Sequence, residues 1–473
     1  MQQHQEHQEH QQDQQHQQDR ASAFTAIVEA LAEEHGVPGA SVGILTGGQE
    51  TFVHHGVTSL AHPRPVDDRT VFHVASVSKT FTATALLRLA ERGDVDLAAP
   101  VRRYVPELVL ADEEAAAGIT VLQLLNHTAG FDWNLIDAED EDGSLAAFVA
   151  KLDRLPLVAP PGARASYSQA GYNLAGRIVE KITGQSFERA MAELVLEPLG
   201  LADTVFDADD VMLRPFVVGH VHDADGALRA ARPWKSHRAG ARGDNPGGGI
   251  ASTTADLLAW ARFHLGDGDG LLRTDTLHGM RDETVELRGS TLGDGFGTGW
   301  FLRAVDGFRT IGHGGSGNGQ HAELHLVPGH DFAVVTLANS EEGYLFNQAV
   351  VRAAFEHFLG LVEKDPEPVP YNEGKAREVA GRYEIDAMNL DIATDGVRLT
   401  LAVEIKPELR QSSDADMPPD IAPAAMGFLP GDGDEYVLTE GVLAGQRGFF
   451  TRDADGRVTG VDLGGRLFNR TTA

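Results

Sequence analysis

Apolar positions near the start of the chain recur at helical spacing. Phe24, Ile27, Val28 and Leu31 fall on one face, which predicts an amphipathic helix over residues 22–35, ending before Gly36. Beyond it the period drops to that of strands. Residues 38–45 and 51–57 read as a hairpin turning at Gly47-Gly48. The apolar segment Val71 to Ala75 gives way to a helical pattern from Thr80 to Arg92, with Phe81, Ala85, Leu86 and Leu89 on one side. Thr120 reads as the N-cap of a short helix ending around His127. Helices are also expected up to Thr183, over residues 187–200 and from Thr254. Strands are expected over residues 297–305, 308–317, 321–327 and 332–338, before a helix from Asn347 to Leu359. This order predicts an α+β fold with an antiparallel sheet flanked by helices, not a series of βαβ units.

The two ends of the chain read differently. Residues 1–21 are rich in Gln and His and are expected to be a disordered tail. They lack the basic start and apolar middle of a secretory signal. Their histidines have no fixed geometry in which to hold a metal. At the other end, alternate prolines mark residues 365–370 as a stiff linker. Beyond it, strand-like runs at 379–384, 390–393, 398–403, 435–438, 448–451 and 457–461 alternate with Gly/Asp turns. They predict a small all-β barrel or sandwich over residues 371–473, behind a main domain over residues 22–364.

Composition narrows the function. A length of 473 residues suffices for both domains. The net charge of -31 argues against nucleic acid or an anionic membrane as a partner, since both need basic patches. The chain has no cysteine, which excludes disulfides, thiolate metal sites and a cysteine nucleophile. No stretch is apolar for long enough to span a bilayer, and a cytoplasmic location is expected. No cofactor or metal is expected, because no His-Glu-x-x-His or similar ligand cluster occurs.

The candidate chemistry begins at Ser76-Val77-Ser78-Lys79, where a strand-like segment meets a helix. Ser76 and Lys79, three residues apart, share a helix face. A serine hydroxyl needs a base to become a nucleophile. A lysine in a dry cleft can lose its charge and serve as that base. Tyr167 precedes a helix in the run Ala165 to Ile178, a position from which a phenol can point into a cleft. Residues 245–252 are glycine-rich but lack the lysine of a nucleotide loop, so close backbone packing is expected there. His127 reads as a structural hydrogen-bonding residue, and Glu139 to Asp142 as a solvated acidic loop.

In order, Ser76-x-x-Lys79, Tyr167-x-Gln169 and His313-Gly314-Gly315 resemble the serine β-lactamase and penicillin-binding-protein superfamily, in the branch of class C β-lactamases, D-Ala-D-Ala carboxypeptidases, D-aminopeptidases and esterases. The resemblance covers about residues 22–360 and includes Leu124 to Gly130. It implies a cleft between the sheet and a mostly helical second lobe. It makes Ser76 the nucleophile and gives Lys79 and Tyr167 the proton path, Tyr167 serving the leaving group. It makes the Ser76 N–H and that of Gly315 or Ser316 the oxyanion hole, and puts His313 and Gly314 on the strand beside the substrate. Two positions depart from the family. Gln169 stands where many members have Asn, and either holds the substrate amide with a longer arm or points elsewhere. His313 stands where β-lactamases carry the lysine of Lys-Thr-Gly, which removes a fixed charge for a substrate carboxylate. Both departures resemble the esterase, D-aminopeptidase and peptide-acyl-transfer members more than an efficient β-lactamase. The expected partner is a small-molecule or peptide substrate. The C-terminal segment resembles a lipocalin-like domain, with three roles open: covering the cleft, mediating a homo-oligomer, or purely structural support. Also open are a thioesterase that cyclises peptides by transferring the acyl group to an amine, and a sensor with this fold and no turnover.

Overall fold

Eight strands make the central sheet: β1 (Gly39–Thr46), β2 (Gln49–Gly56), β3 (Val285–Ser290), β4 (Gly293–Phe296), β5 (Phe301–Val305), β6 (Phe308–Gly317), β7 (Gln320–Val327) and β8 (Phe332–Ala338). In the computed structural model, which describes residues 2–135, 143–223, 225–232, 234, 242–412 and 419–471 without the side chains of 2–17 and 412, they pair in the order β2-β1-β8-β7-β6-β5-β4-β3. Every pairing is antiparallel. The acidic loop expected from Glu139 to Asp142 lies outside the described residues.

Both faces of the sheet are covered, so β1 and β8 are buried almost throughout. On one face lie α1 (Gln2–Glu34), which presents Phe24 and Val28, and a late helix (Gly343–Ala354), which presents Phe346 and Val350. The other face meets the helical lobe, built on α2 (Ser78–Glu91), α3 (Val121–Leu125), α4 (Gln169–Thr183), α5 (Asn245–Gly248) and α6 (Thr254–Leu265). The late helix is then α7. Phe81 of α2 stacks on Trp260 of α6 at 4.0 Å, which locks these two helices together. The Thr120 cap of α3 forms a full capping box with Gln123.

The stretch expected to be disordered continues α1 back to Gln2. It contains neither Gly nor Pro, and Gln and Glu are good helix formers, so nothing in it breaks a helix already fixed by Phe24 and Val28. Strands β3 and β4 were not legible. β3 is bulged against β4, and β4 is the glycine-interrupted run Gly293-Asp294-Gly295-Phe296.

The C-terminal segment closes into an antiparallel barrel of β9 (Gly381–Glu384), β10 (Met388–Thr394), β11 (Leu399–Ile405), β12 (Ile421–Phe428), β13 (Glu435–Leu438), β14 (Arg447–Arg452), β15 (Val458–Leu463) and β16 (Arg466–Arg470). Six of the eight match the expected runs. β12 carries Pro423 and β16 follows Gly464-Gly465, which hid both. Leu390, Leu401, Tyr436, Phe450, Val461 and Phe468 fill its interior.

The barrel docks on the sheet through Asp462. Its buried carboxyl accepts from Ser290 of β3 and from the Gly465 N–H, and burial pushes its pKa up to about 7. A carboxyl whose folded pKa is raised binds its proton more tightly in the folded state. That stabilisation is complete near pH 3.8 and is lost as pH rises through about 7. Asp462→Asn is therefore expected to gain about 2–4 kcal/mol over the parent at pH 8, with the difference shrinking towards pH 4. Urea unfolding at the two pH values measures it, and a gain independent of pH would contradict it.

Candidate active site

Ser76 sits in a single 3-10 turn, Ala75–Val77, that leads into α2. Ala75 adopts φ 43°, a left-handed conformation costly for a residue with a Cβ, and so turns the Ser76 side chain out towards the cleft. Two bonds fix the turn: the Ser78 hydroxyl donates to the Ala75 carbonyl at 2.6 Å and accepts from the Ile250 N–H at 2.9 Å.

Lys79 is wholly buried, yet among the described residues no carboxylate touches it. Its Nζ lies 2.7 Å from Gln169 Oε1, 2.6 Å from the Gly247 carbonyl and 3.3 Å from Ser76 Oγ. Burial lowers its pKa well below the ordinary value, and the Arg466 guanidinium lowers it further, against a smaller opposing pull from Asp244. A neutral amine has two N–H donors and one lone pair. In the neutral form that burial favours, the two short contacts take both donors and leave the lone pair to the Ser76 hydroxyl, whereas in the ammonium form the third N–H donates to Ser76 Oγ.

Tyr167 is held from both sides. The Ser166 N–H donates to the His127 carbonyl, and the Ser168 N–H donates to His127 Nδ1 at 3.1 Å. His127, at φ 61° and buried, is thus the clamp on the tyrosine loop, with its ring 4.5 Å from that of Tyr167. The Tyr167 hydroxyl is hydrogen-bonded to Ser76, and burial raises its pKa to about 12, so it keeps its proton at neutral pH. The Lys79 nitrogen lies 4.8 Å from the centre of the Tyr167 ring. The hydroxyl, the amine and the phenol named from the sequence therefore meet at one point.

His313 is on β6, stacked on Phe301 at 4.3 Å and 6.2 Å from the Tyr167 ring. Burial, then Lys79, pull its pKa down to about 3, so it is neutral at physiological pH. Nδ1 lies 2.7 Å from the Gly314 carbonyl oxygen and must carry the hydrogen, which leaves Nε2 as the acceptor. Gly315 packs on the nucleophile turn, where a Cβ would collide with the Val74 carbonyl and lie 3.0 Å from the Ser76 nitrogen. Ser316 is exposed beside it, and Gly314 faces away from the turn. Gln169 does not reach outward: its Oε1 binds Lys79 and its Nε2 donates to the Asp244 carbonyl at 3.1 Å. The glycine-rich run packs tightly as expected, for a Cβ on Gly247 would strike Gln169.

Residues 24–356 match the Beta-lactamase family. The chain belongs to that family. Its members are in general serine hydrolases. The chain is 31% identical over 369 residues to penicillin-binding protein 4 of Amycolatopsis lactamdurans, covering 75% of this chain and 95% of that one. Among solved structures, SurE superposes with a TM-score of 0.75 at 26% identity, over 96% of this chain and all of SurE; a structure of SurE with D-Leu gives 0.71 at the same identity and coverage. The octameric penicillin-binding protein homologue from Pyrococcus abyssi has the same fold, with a TM-score of 0.66 at 22% identity over 94% of this chain and 98% of that one. These superpositions take in both the sheet domain and the barrel of the present chain.

The sequence reading missed Arg466. It follows the Gly464-Gly465 turn of the barrel, and its guanidinium lies 5.4 Å from the rings of both Tyr167 and Trp133. The Tyr167 N–H donates to the Gly465 carbonyl at 2.7 Å, so the barrel walls the cleft. Alternate strand residues around a Gly-Gly turn carry no sign of a site, and only the docking of the domains reveals it. Arg466→Gln is expected to let the Lys79 pKa rise, moving the pH midpoint of Ser76 modification by a fluorophosphonate upward. Labelling rates across pH 6–10 measure this, and an unchanged midpoint would count against the guanidinium acting on the amine.

Proposed function

We propose that this protein is a serine hydrolase that forms an acyl-enzyme on Ser76 from an ester or amide, with a D-residue at the scissile carbonyl. The observation that carries this reading is the Lys79 nitrogen 3.3 Å from Ser76 Oγ, desolvated and with both donors already engaged. The amine takes the serine proton as Oγ attacks the carbonyl. The developing oxyanion is held by the Ser76 N–H and by that of Gly315 or Ser316, each worth a few kcal/mol, about 3. Tyr167, protonated in the resting enzyme, gives its proton to the leaving group and regains it from the Lys79 ammonium. A water then attacks the acyl-enzyme, Lys79 taking its proton and Ser76 Oγ regaining one.

The substrate is gripped differently from that of a Lys-Thr-Gly enzyme. Neutral His313 offers an acceptor and no charge. The Arg466 Nε has no hydrogen-bond partner among the described residues, so the guanidinium supplies the cation for a substrate carboxylate. Gln169 is a positioning residue for Lys79. The D-residue preference is supported by the D-Leu seen with SurE.

Lys79→Ala and Tyr167→Phe are expected to lower turnover of p-nitrophenyl esters and D-aminoacyl amides at least about 100-fold, with unfolding midpoints close to the parent. Rates near the parent in either variant would overturn the proton path. Fluorophosphonate labelling lost in Ser76→Ala separates an enzyme from a sensor. The products from a peptidyl thioester, linear or cyclic, decide whether water or an amine receives the acyl group.

A further inference from the structure

The cavity at Ser76 does not end at the catalytic residues. It encloses about 310 Å³, with Ser76, Tyr167 and Arg466 lining one end and Glu323, His325 and Gln348 the other. The opening between them lies at the edge of β6. The register of β6 with β5 runs from Phe308↔Val305 to Gly312↔Phe301 and stops there, while β6 continues to Gly317 paired only with β7. Along this free edge the residues alternate. His313 and Gly315 face the nucleophile, and Gly312 and Gly314 face the opposite side. A Cβ on Gly312 would strike His325 Nδ1, and one on Gly314 would lie 2.6 Å from Glu323 Oε1. The two glycines thus make room for a carboxylate and an imidazole lying over bare backbone.

Glu323 is 7% exposed, and burying a carboxylate is costly without a partner. It accepts from Gln348 Nε2 at 3.0 Å and contacts His325 Nε2 at 2.9 Å. His325 is its sole ionic partner among the described residues. Arg303 also lines the recess, but it is ion-paired to Glu363. The recess therefore presents a carboxylate whose partners among the described residues are one imidazole and one side-chain amide.

We infer that this recess is a subsite for a primary ammonium group of the substrate, with the Glu323 carboxylate as counter-ion and His325 as the group that orients it. The inference rests on Ser76 being the acylated residue only in placing the ammonium on the substrate. An amine there lies across the β6 edge from the scissile carbonyl, and belongs either to the acyl chain or to the acceptor that releases it.

The test pairs p-nitrophenyl ε-aminocaproate with p-nitrophenyl heptanoate, alike in length and differing in charge. Glu323→Gln is expected to raise KM for the amino ester about tenfold or more while leaving the heptanoate within about twofold. That outcome puts the amine on the acyl chain. If instead n-hexylamine diverts the heptanoyl-enzyme to its amide in the parent, and about tenfold less in Glu323→Gln, the amine is the acceptor. Equal losses with both esters, or no selective effect in either arm, overturn the subsite. Calorimetry with n-hexylamine and n-hexanol on the unmodified protein needs neither turnover nor a variant. Binding of the amine at least about fivefold tighter than the alcohol is expected, and equal or weaker binding overturns the subsite whether or not Ser76 is the nucleophile.

Discussion

The lysine at position 79 is the constraint on which the site depends. Burying an ammonium without a carboxylate would be costly, so the fold favours the neutral amine. The scaffold is arranged to keep it so. The Gly247 carbonyl and Gln169 Oε1 absorb its two hydrogens, and both come from segments distant in sequence. Gly247 can approach only because it has no side chain, and Gln169 can turn inward only because Ser168 caps α4 directly before it. The geometry around one nitrogen therefore fixes the packing of α2, α4 and α5.

Much of this was legible in the sequence, for a physical reason. Ser76 and Lys79 are local to one helix turn, and Tyr167 precedes a capped helix, so their neighbourhoods carry the pattern that places them. His127 was legible as structural, because it stands at the end of a capped helix with no base-like companion, and it serves as the clamp on the tyrosine loop. The central strands followed from their alternation. What stayed hidden was whatever depends on contacts between distant segments. Gln169 pointing inward, Arg466 reaching out of the barrel and Glu323 lying over Gly314 are all decided by packing across domains or strands. In the tail of α1, low complexity and polarity say nothing against a helix extending from an anchored one.

The barrel has a direct bearing on the chemistry. Its interior is filled with its own side chains, so it offers the outside of one hairpin turn. That turn carries a backbone carbonyl to the Tyr167 N–H and a guanidinium to the ring above it. Family enzymes with Lys-Thr-Gly hold such a charge on the sheet strand itself; here the strand carries His313, neutral because it is buried against Phe301. Moving the cation from strand to barrel ties the electrostatics of the cleft to the seating of a second domain. Asp462, at the foot of the same turn, makes that seating sensitive to protonation.

The free edge of β6 joins these observations. Two of its residues, His313 and Gly315, face the Ser76 side, and two glycines, Gly312 and Gly314, face the side where Glu323 lies. A cavity with Arg466 at one end and Glu323 at the other sets up opposite fields a strand's width apart, in a setting drier than bulk water. In a protein of net charge -31, long-range attraction favours cations everywhere, so the general field cannot select among them. Selection has to come from short-range pairing, where desolvation makes a mismatched charge expensive. A ligand bearing one carboxylate and one ammonium meets both ends with its charges matched, while a dianion or a dication leaves one end opposed. On the proposed function and subsite, the polarity of the cavity would favour substrates of amino-acid type through pairs of contacts that neither domain possesses alone.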